Sequence, residues 1–276
     1  MISSAPKEIF IKCNVNLYGT GDQILVFAQS ITTSQTIWRH QINELGKHFK
    51  CLTFDFVGVG KSDVRHIEAQ RYIRLEQHLE DFLRIIDTLE IKTAQFIGHG
   101  LGAGVGVMAA QLRPTLFKTM HLIDFTPKFI RTPDFEGYYT SEDFEVVWKL
   151  LAIDYLSWTS IQTQEQAAKK TLPEKLLGLY ESLSLLRPDF AQAALRIKYD
   201  LDLRSALDAV NSQICFYHSL KEPCVPLWIS EFFNERYPNG WVKILNSEGR
   251  HPQITSPDEV TEQLLQNIVK QVHYEQ

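Results

Sequence analysis

Ala94-Gln-Phe-Ile-Gly-His-Gly-Leu-Gly-Ala-Gly-Val-Gly106 reads as a buried strand, a sharp turn and the start of a helix built from small residues. Its centre, Gly98-His99-Gly100-Leu101-Gly102, keeps the frame G-x-S-x-G, in which a strained strand-to-helix turn presents a serine for attack. Here a glycine, Gly100, stands at the serine's position, so the turn is retained while the attacking side chain is absent. A non-glycine residue with positive φ costs about 1–3 kcal/mol. Gly100 therefore also reads simply as the residue that relaxes this turn.

Working outward, Cys51-Leu-Thr-Phe-Asp-Phe56, Ala94–Ile97 and Thr119-Met-His-Leu-Ile123 are short apolar runs, separated by helical patterns around Trp38–Leu45 and Leu75–Leu89. Strands alternating with helices predict a mostly parallel sheet covered on both faces. Ahead of them, Ile9-Phe-Ile-Lys-Cys13 and Ile24-Leu-Val-Phe27 flank Tyr18-Gly-Thr-Gly-Asp22, which predicts two antiparallel strands joined by a hairpin turn. Between about 128 and 210 the alternation lapses into helix. Thr140 and Asp143 have capping-box spacing, and Phe144, Val147, Trp148, Leu151, Tyr155 and Trp158 recur at helical intervals. Strands return at Ile214–Tyr217 and Trp241–Leu245, and a last helix starts after Ser256-Pro257-Asp258. The expectation is one domain, with a core over about 8–127 and 211–276 and a helical cap over about 128–210.

The 276 residues, 44% of them hydrophobic, supply a sizeable core. A formal charge of −5 without a basic run argues against a nucleic-acid partner. No apolar run reaches membrane-spanning length, and the N-terminus lacks the charged and apolar regions of a signal peptide, so a cytoplasmic protein is expected. Cys13, Cys51, Cys215 and Cys224 are scattered and read as reduced thiols. The nine histidines show no metal-ligand spacing, so neither metal nor cofactor is expected. Lys61-Ser62 lacks the upstream glycine of a phosphate-binding loop, and Asp55-Phe-Val-Gly-Val-Gly-Lys-Ser62 reads as a strand-to-helix turn.

The order of these features resembles the α/β-hydrolase family. Phe54-Asp-Phe-Val-Gly-Val-Gly-Lys-Ser-Asp63 followed by Arg71-Tyr72 is similar to its RsbQ-like group, which contains bacterial stress regulators and the plant karrikin and strigolactone receptors. The resemblance runs from about Cys13 to the C-terminal helix. It implies an eight-stranded, mostly parallel sheet with helices on both faces and a helical cap between the sixth and seventh strands.

It also places the family's catalytic parts. The nucleophile falls on Gly100. The acid falls on Glu222 of Lys221-Glu-Pro-Cys-Val-Pro226. The histidine falls on Arg250 of Gly249-Arg-His-Pro-Gln253, leaving His251 one position late. A guanidinium stays protonated and cannot serve as general base. The family's Gly-x-Gly oxyanion loop is replaced by Ala28-Gln-Ser-Ile-Thr32. Losing nucleophile, base and loop glycines together indicates a naturally degenerate site.

Alternatives stand beside these assignments. Glu222 and Arg250 form a carboxylate–guanidinium contact, or both are solvated loop charges, or Arg250 points into the pocket beside the helix N-terminus and favours an anionic ligand. Asp124 caps the loop before Pro127, or works as an acid or base with His99 or His251. Gln29, Ser30, Ile31, Gly100 and Leu101 face the ligand space, and Ser30 is the nearest substitute nucleophile. Phe144, Trp148, Tyr155 and Trp158 line an apolar pocket or pack on one another. The leading reading is a protein without hydrolytic chemistry that holds a small, largely apolar and anionic ligand under its cap in a sensing role. The resemblance implies a signalling partner, such as one with a PAS-type sensory domain. The competitors are a lyase, cyclase or isomerase using Asp124, His99 or His251, and an ester hydrolase with a surrogate nucleophile.

Overall fold

In the computed structural model the residues described are 4–166, 179, 182–183, 185–222, 224–237 and 240–274. Seven strands form one sheet: β1 (Asn16–Tyr18), β2 (Ile24–Ala28), β3 (Lys50–Thr53), β4 (Ala94–His99), β5 (Phe117–Ile123), β6 (Gln213–Lys221) and β7 (Trp241–Glu248). Their spatial order is β1-β3-β2-β4-β5-β6-β7, with β1 antiparallel to β3 and every other pair parallel. Each parallel crossover needs a covering helix, and the strands are accordingly apolar on both faces.

Period-two alternation divides the core. Leu25 and Phe27 of β2 join Trp38, Leu45, Val260, Leu264 and Ile268 on one face, the side of helices α2 (Arg39–Leu45) and α11 (Pro257–Tyr274). Val26 and Ala28 join Phe82, Ile86, Phe96 and Val105 on the other, under α3 (Leu75–Thr88) and α4 (Leu101–Leu112). In α3, Leu75, Leu79, Phe82 and Ile86 form the buried stripe. Side chains of that size contribute about 1.5–3 kcal/mol each when buried.

The structure corrects the expected first strand. Residues Ser4–Lys12 form helix α1; Ile9 within it and Cys13 just past its end, four apart, are buried while Ile11 is 63% exposed. A five-residue apolar run fits either period, and the i, i+4 burial decides for helix. Lys12 Nζ then reaches Asp81 Oδ1 of α3 at 2.7 Å. The eight expected strands become seven, and the expected hairpin is also replaced, because β1 pairs with β3 and not with β2.

Between β5 and β6, after two isolated bridges at Ile130–Tyr139 and Thr132–Phe135, come helices α5 (Ser141–Ile153), α6 (Tyr155–Gln166), α7 (Pro188–Asp200) and α8 (Arg204–Asp208). The insertion expected after a sixth strand therefore follows the fifth. Residues 167–178 of the expected cap lie outside the described residues. The Thr140–Asp143 capping box is formed in both directions. Helices α9 (Trp228–Arg236) and α10 (Pro252–Thr255) follow β6 and β7.

Among the described residues no helix is long and apolar enough to cross a membrane. The turn after β3 has the structural role expected of it: Asp55 accepts from Gln35 N at 2.8 Å, Lys61 N at 2.9 Å and Asn14 Nδ2 at 2.7 Å.

Candidate functional site

A parallel sheet collects the loops that leave its carboxyl ends on one rim. Ser30 follows β2, Gly100 follows β4, Asp124 follows β5, Glu222 follows β6 and Arg250 follows β7. All five are buried.

Gly100 has φ 54° and ψ −125°, outside the regions open to most side chains, and it caps α4. Its N–H donates to Ile123 O at 3.2 Å. A Cβ placed on it would lie 3.5 Å from Ser30 Cβ and Oγ and 4.0 Å from Arg250 Nη2, all ordinary contacts. The chain thus keeps both the elbow's backbone and room for a small side chain. Gly102 is needed for a different reason: a Cβ there would meet Gln29 O at 2.0 Å, so the loop after β2 presses against the first turn of α4.

In that loop the three expected ligand contacts separate. Ser30 faces Gly100, whereas Gln29 donates through Nε2 to Phe54 O at 2.8 Å and Ile31 joins the apolar core.

Arg250 is 3% exposed. Its Nε lies 3.9 Å from Glu222 Oε1, and its Cζ sits 5.7 Å from the centre of the Phe129 ring. Glu222 Oε2 accepts from Val225 N. The two charges therefore meet, but as a single buried contact: neither the expected bidentate fork nor a pair of solvated loop charges. Glu222 Oε1 and Arg250 Nη2 have no hydrogen-bond partner among the described residues. Burial pushes the Glu222 carboxyl upward despite the opposing pull of Arg250.

Asp124 takes φ 43°, and its Oδ1 and Oδ2 accept from Ser219 N and Oγ, each at 2.7 Å. It ties the end of β5 to that of β6, in place of the expected loop cap before Pro127. Burial, reinforced by the Glu222 charge, raises its carboxyl well above the usual range.

His99 and His251 lie against each other, ring centres 4.7 Å apart. His99 Nε2 donates to Arg250 O at 2.7 Å, and burial followed by the Arg250 charge pushes the ring down to about 3. His251 is lowered well below the ordinary range by burial and then by His99. Both are neutral rings at neutral pH, and the atoms nearest Gly100's missing Cβ belong to Ser30 and Arg250.

The expected aromatic wall is largely aromatic packing. Phe144 contacts Tyr139, Trp148 and Tyr199, and Trp158 stacks on Tyr155 at 5.7 Å. Trp148 is half-buried and lines an outer groove with Arg187 and Arg196.

Sequence reasoning missed Phe129, Ser219 and Lys198. Lys198 is buried, its Nζ 5.8 Å from the centre of the Phe129 ring, and its charge bears on Glu222, His99 and His251. A signal for it existed. Ala191, Ala194, Leu195 and Lys198 fall at i, i+3, i+4 and i+7, which places a lysine in an apolar stripe. Among the described residues no group of three or more His, Cys, Asp or Glu side chains is placed to hold a metal ion.

The family described as the alpha/beta hydrolase fold matches residues 23–257. The karrikin insensitive 2 receptor CA of Petunia hybrida is 28% identical over 256 residues, covering 92% of this chain and 95% of the relative. A strigolactone esterase of Arabidopsis thaliana is 27% identical over 250 residues, covering 90% and 93%. Among solved structures, a hydrolase from Oleispira antarctica superposes with a TM-score of 0.90 at 23% identity, covering 97% of this chain and 98% of that one, which bears on fold.

Proposed function

The chain belongs to the alpha/beta hydrolase fold family, and from that premise we propose that it is a member without serine hydrolysis. In this reading it holds a small, largely apolar, anionic molecule at the elbow and acts as a cytoplasmic sensor or regulator with a signalling partner. One observation carries it: where attack and proton transfer would occur stand Gly100, with no side chain, and Arg250, a permanent cation whose Nη2 is turned toward it. The relative named a karrikin receptor supports the sensing role. The cap over 128–210 belongs to the same reading, with α5 to α8 as its described helices.

The competing non-hydrolytic enzyme would need Asp124, His99 or His251 for proton transfer. Both Asp124 oxygens are engaged by Ser219, and His99 Nε2 is engaged by Arg250 O. An ester hydrolase using Ser30 would need a base beside it, and the charged group nearest Gly100 is a guanidinium.

Aryl-ester hydrolysis, measured with p-nitrophenyl acetate and butyrate, should stay at the buffer rate for the unaltered protein. It should stay there for Gly100→Ser as well, because the restored hydroxyl has no base. Turnover by the unaltered protein that disappears in Ser30→Ala would overturn the reading. Gly100→Ser should also cost about 1–3 kcal/mol in urea denaturation from backbone strain, since a Cβ there meets only ordinary contacts.

A further inference from the structure

Arg250 combines three properties that matter only together. It is almost fully buried, its Nη2 has no hydrogen-bond partner among the described residues, and that nitrogen lies 4.0 Å from the position a Cβ on Gly100 would take. Leaving a charged donor unmatched in the interior is costly unless something accepts from it. The same spot faces the first turn of α4, a twelve-residue helix whose leading amides have no acceptor within the helix and whose dipole favours negative charge. Ser30 Oγ, 3.5 Å from the same position, adds a hydroxyl.

Two further features select the kind of anion. Glu222 Oε1 lies 3.9 Å from Arg250 Nε, so part of the guanidinium charge is already balanced. A dianion such as a phosphate would set its second charge against Glu222 and Asp124, a repulsion that the buried Lys198 offsets only in part. A monoanion with two oxygens in one plane fits a guanidinium edge on one side and helix amides on the other. Phe129 lies under the guanidinium and shares its ring with the buried Lys198, Cys224 and Tyr139 stand near Arg250, and Ile31 and Leu101 belong to the apolar core.

We propose that this pocket, taken as the binding site just described, recognises a free carboxylate on an apolar body and rejects the matching ester. One carboxylate oxygen accepts from Arg250 Nη2, and the other faces the leading amides of α4. An ester presents the same carbonyl without the charge. The preference should be about 10- to 100-fold, the value of one charge-assisted hydrogen bond inside a protein.

The test is calorimetric titration of the full chain at pH 7.5 with 4-phenylbutyrate, its methyl ester and 3-phenylpropylphosphonate. Nile red, which is neutral, reports separately on the apolar pocket. The expected result is that the acid binds more tightly than the ester by that factor and displaces Nile red. Arg250→Gln should erase the preference while still binding Nile red, and Arg250→Lys should keep part of it. Should Arg250→Gln not fold, the acid-to-ester ratio in the unaltered protein and in Arg250→Lys decides. An ester or phosphonate binding as tightly as the acid overturns the carboxylate assignment, as does a preference that survives Arg250→Gln. Nile red bound with neither acid nor ester bound overturns it too, while leaving the pocket reading intact. If no probe binds at all, the pocket reading falls and the assignment with it.

Discussion

Acidification from pH 7.5 to 5 will strip this fold of several kcal/mol of stability, read as a falling urea midpoint at constant m-value. Five buried histidines are responsible. Burial lowers His78 to about 4 and His99 and His121 to about 3, and it also lowers His218 and His251. A lowered histidine contributes stability that is present above its ordinary value of 6.5 and is lost as pH falls toward its folded-state value, because only the unfolded chain takes up the proton. Asp124 and Glu222 act oppositely: their raised carboxyls bind protons first in the folded state and so add stability as pH drops. Five sites against two leave an excess of up to about three protons on the unfolded chain, each worth about 1.4 kcal/mol per pH unit. His121 bonds Tyr217 OH and Gln95 Oε1 at 2.9 and 3.1 Å, away from the rim. His121→Gln should therefore flatten the slope by about one proton. A midpoint unchanged between pH 7.5 and 5 would refute the argument.

Arg250→Met and Glu222→Gln should each destabilise the protein by about 3–5 kcal/mol at pH 7.5, because each leaves a buried charge without its partner. The double replacement should cost clearly less than the sum, and denaturant titration of the four proteins in a mutant cycle measures that difference. The two single variants also differ in their response to acid. In Arg250→Met the remaining carboxyl, already raised by burial, loses its counter-charge and protonates more readily, so the loss should shrink between pH 7.5 and 6. In Glu222→Gln the remaining guanidinium cannot neutralise itself, and no such recovery is expected. Additive costs would mean that the 3.9 Å contact couples the two charges weakly.

What could be read from the sequence was whatever local pattern determines. The elbow was legible because five glycines within nine positions leave little besides a strand-to-helix turn, and the capping box was legible because it closes over three residues. Ile9–Cys13 was misread because five residues are too few to separate a period of 2 from one of 3.6, and burial against α3 settles the choice. The pairing of β1 with β3 escaped because loop composition indicates a reversal without naming the neighbour. At the site, Gly100 and Arg250 were found by their place in a motif. Ser219 and Phe129 carry no motif and come to the rim only through the sheet's crossovers. The depth of burial, which turns Glu222, Asp124 and the two histidines from ordinary titrating groups into displaced ones, belongs to the packed interior.

The Asp124–Ser219 bonds have a kinetic corollary. They fasten the end of β5 to that of β6, and Ser30, Leu101, Glu222 and Arg250 around the elbow are shielded from solvent. A small molecule bound there would enter only as some of that cover moves, since the Asp124–Ser219 bonds hold the ends of β5 and β6 together. Opening then limits the rate of capture, which saturates as ligand concentration rises, and release waits on the same motion. Such a site would follow a change in ligand level with a lag set by the opening step.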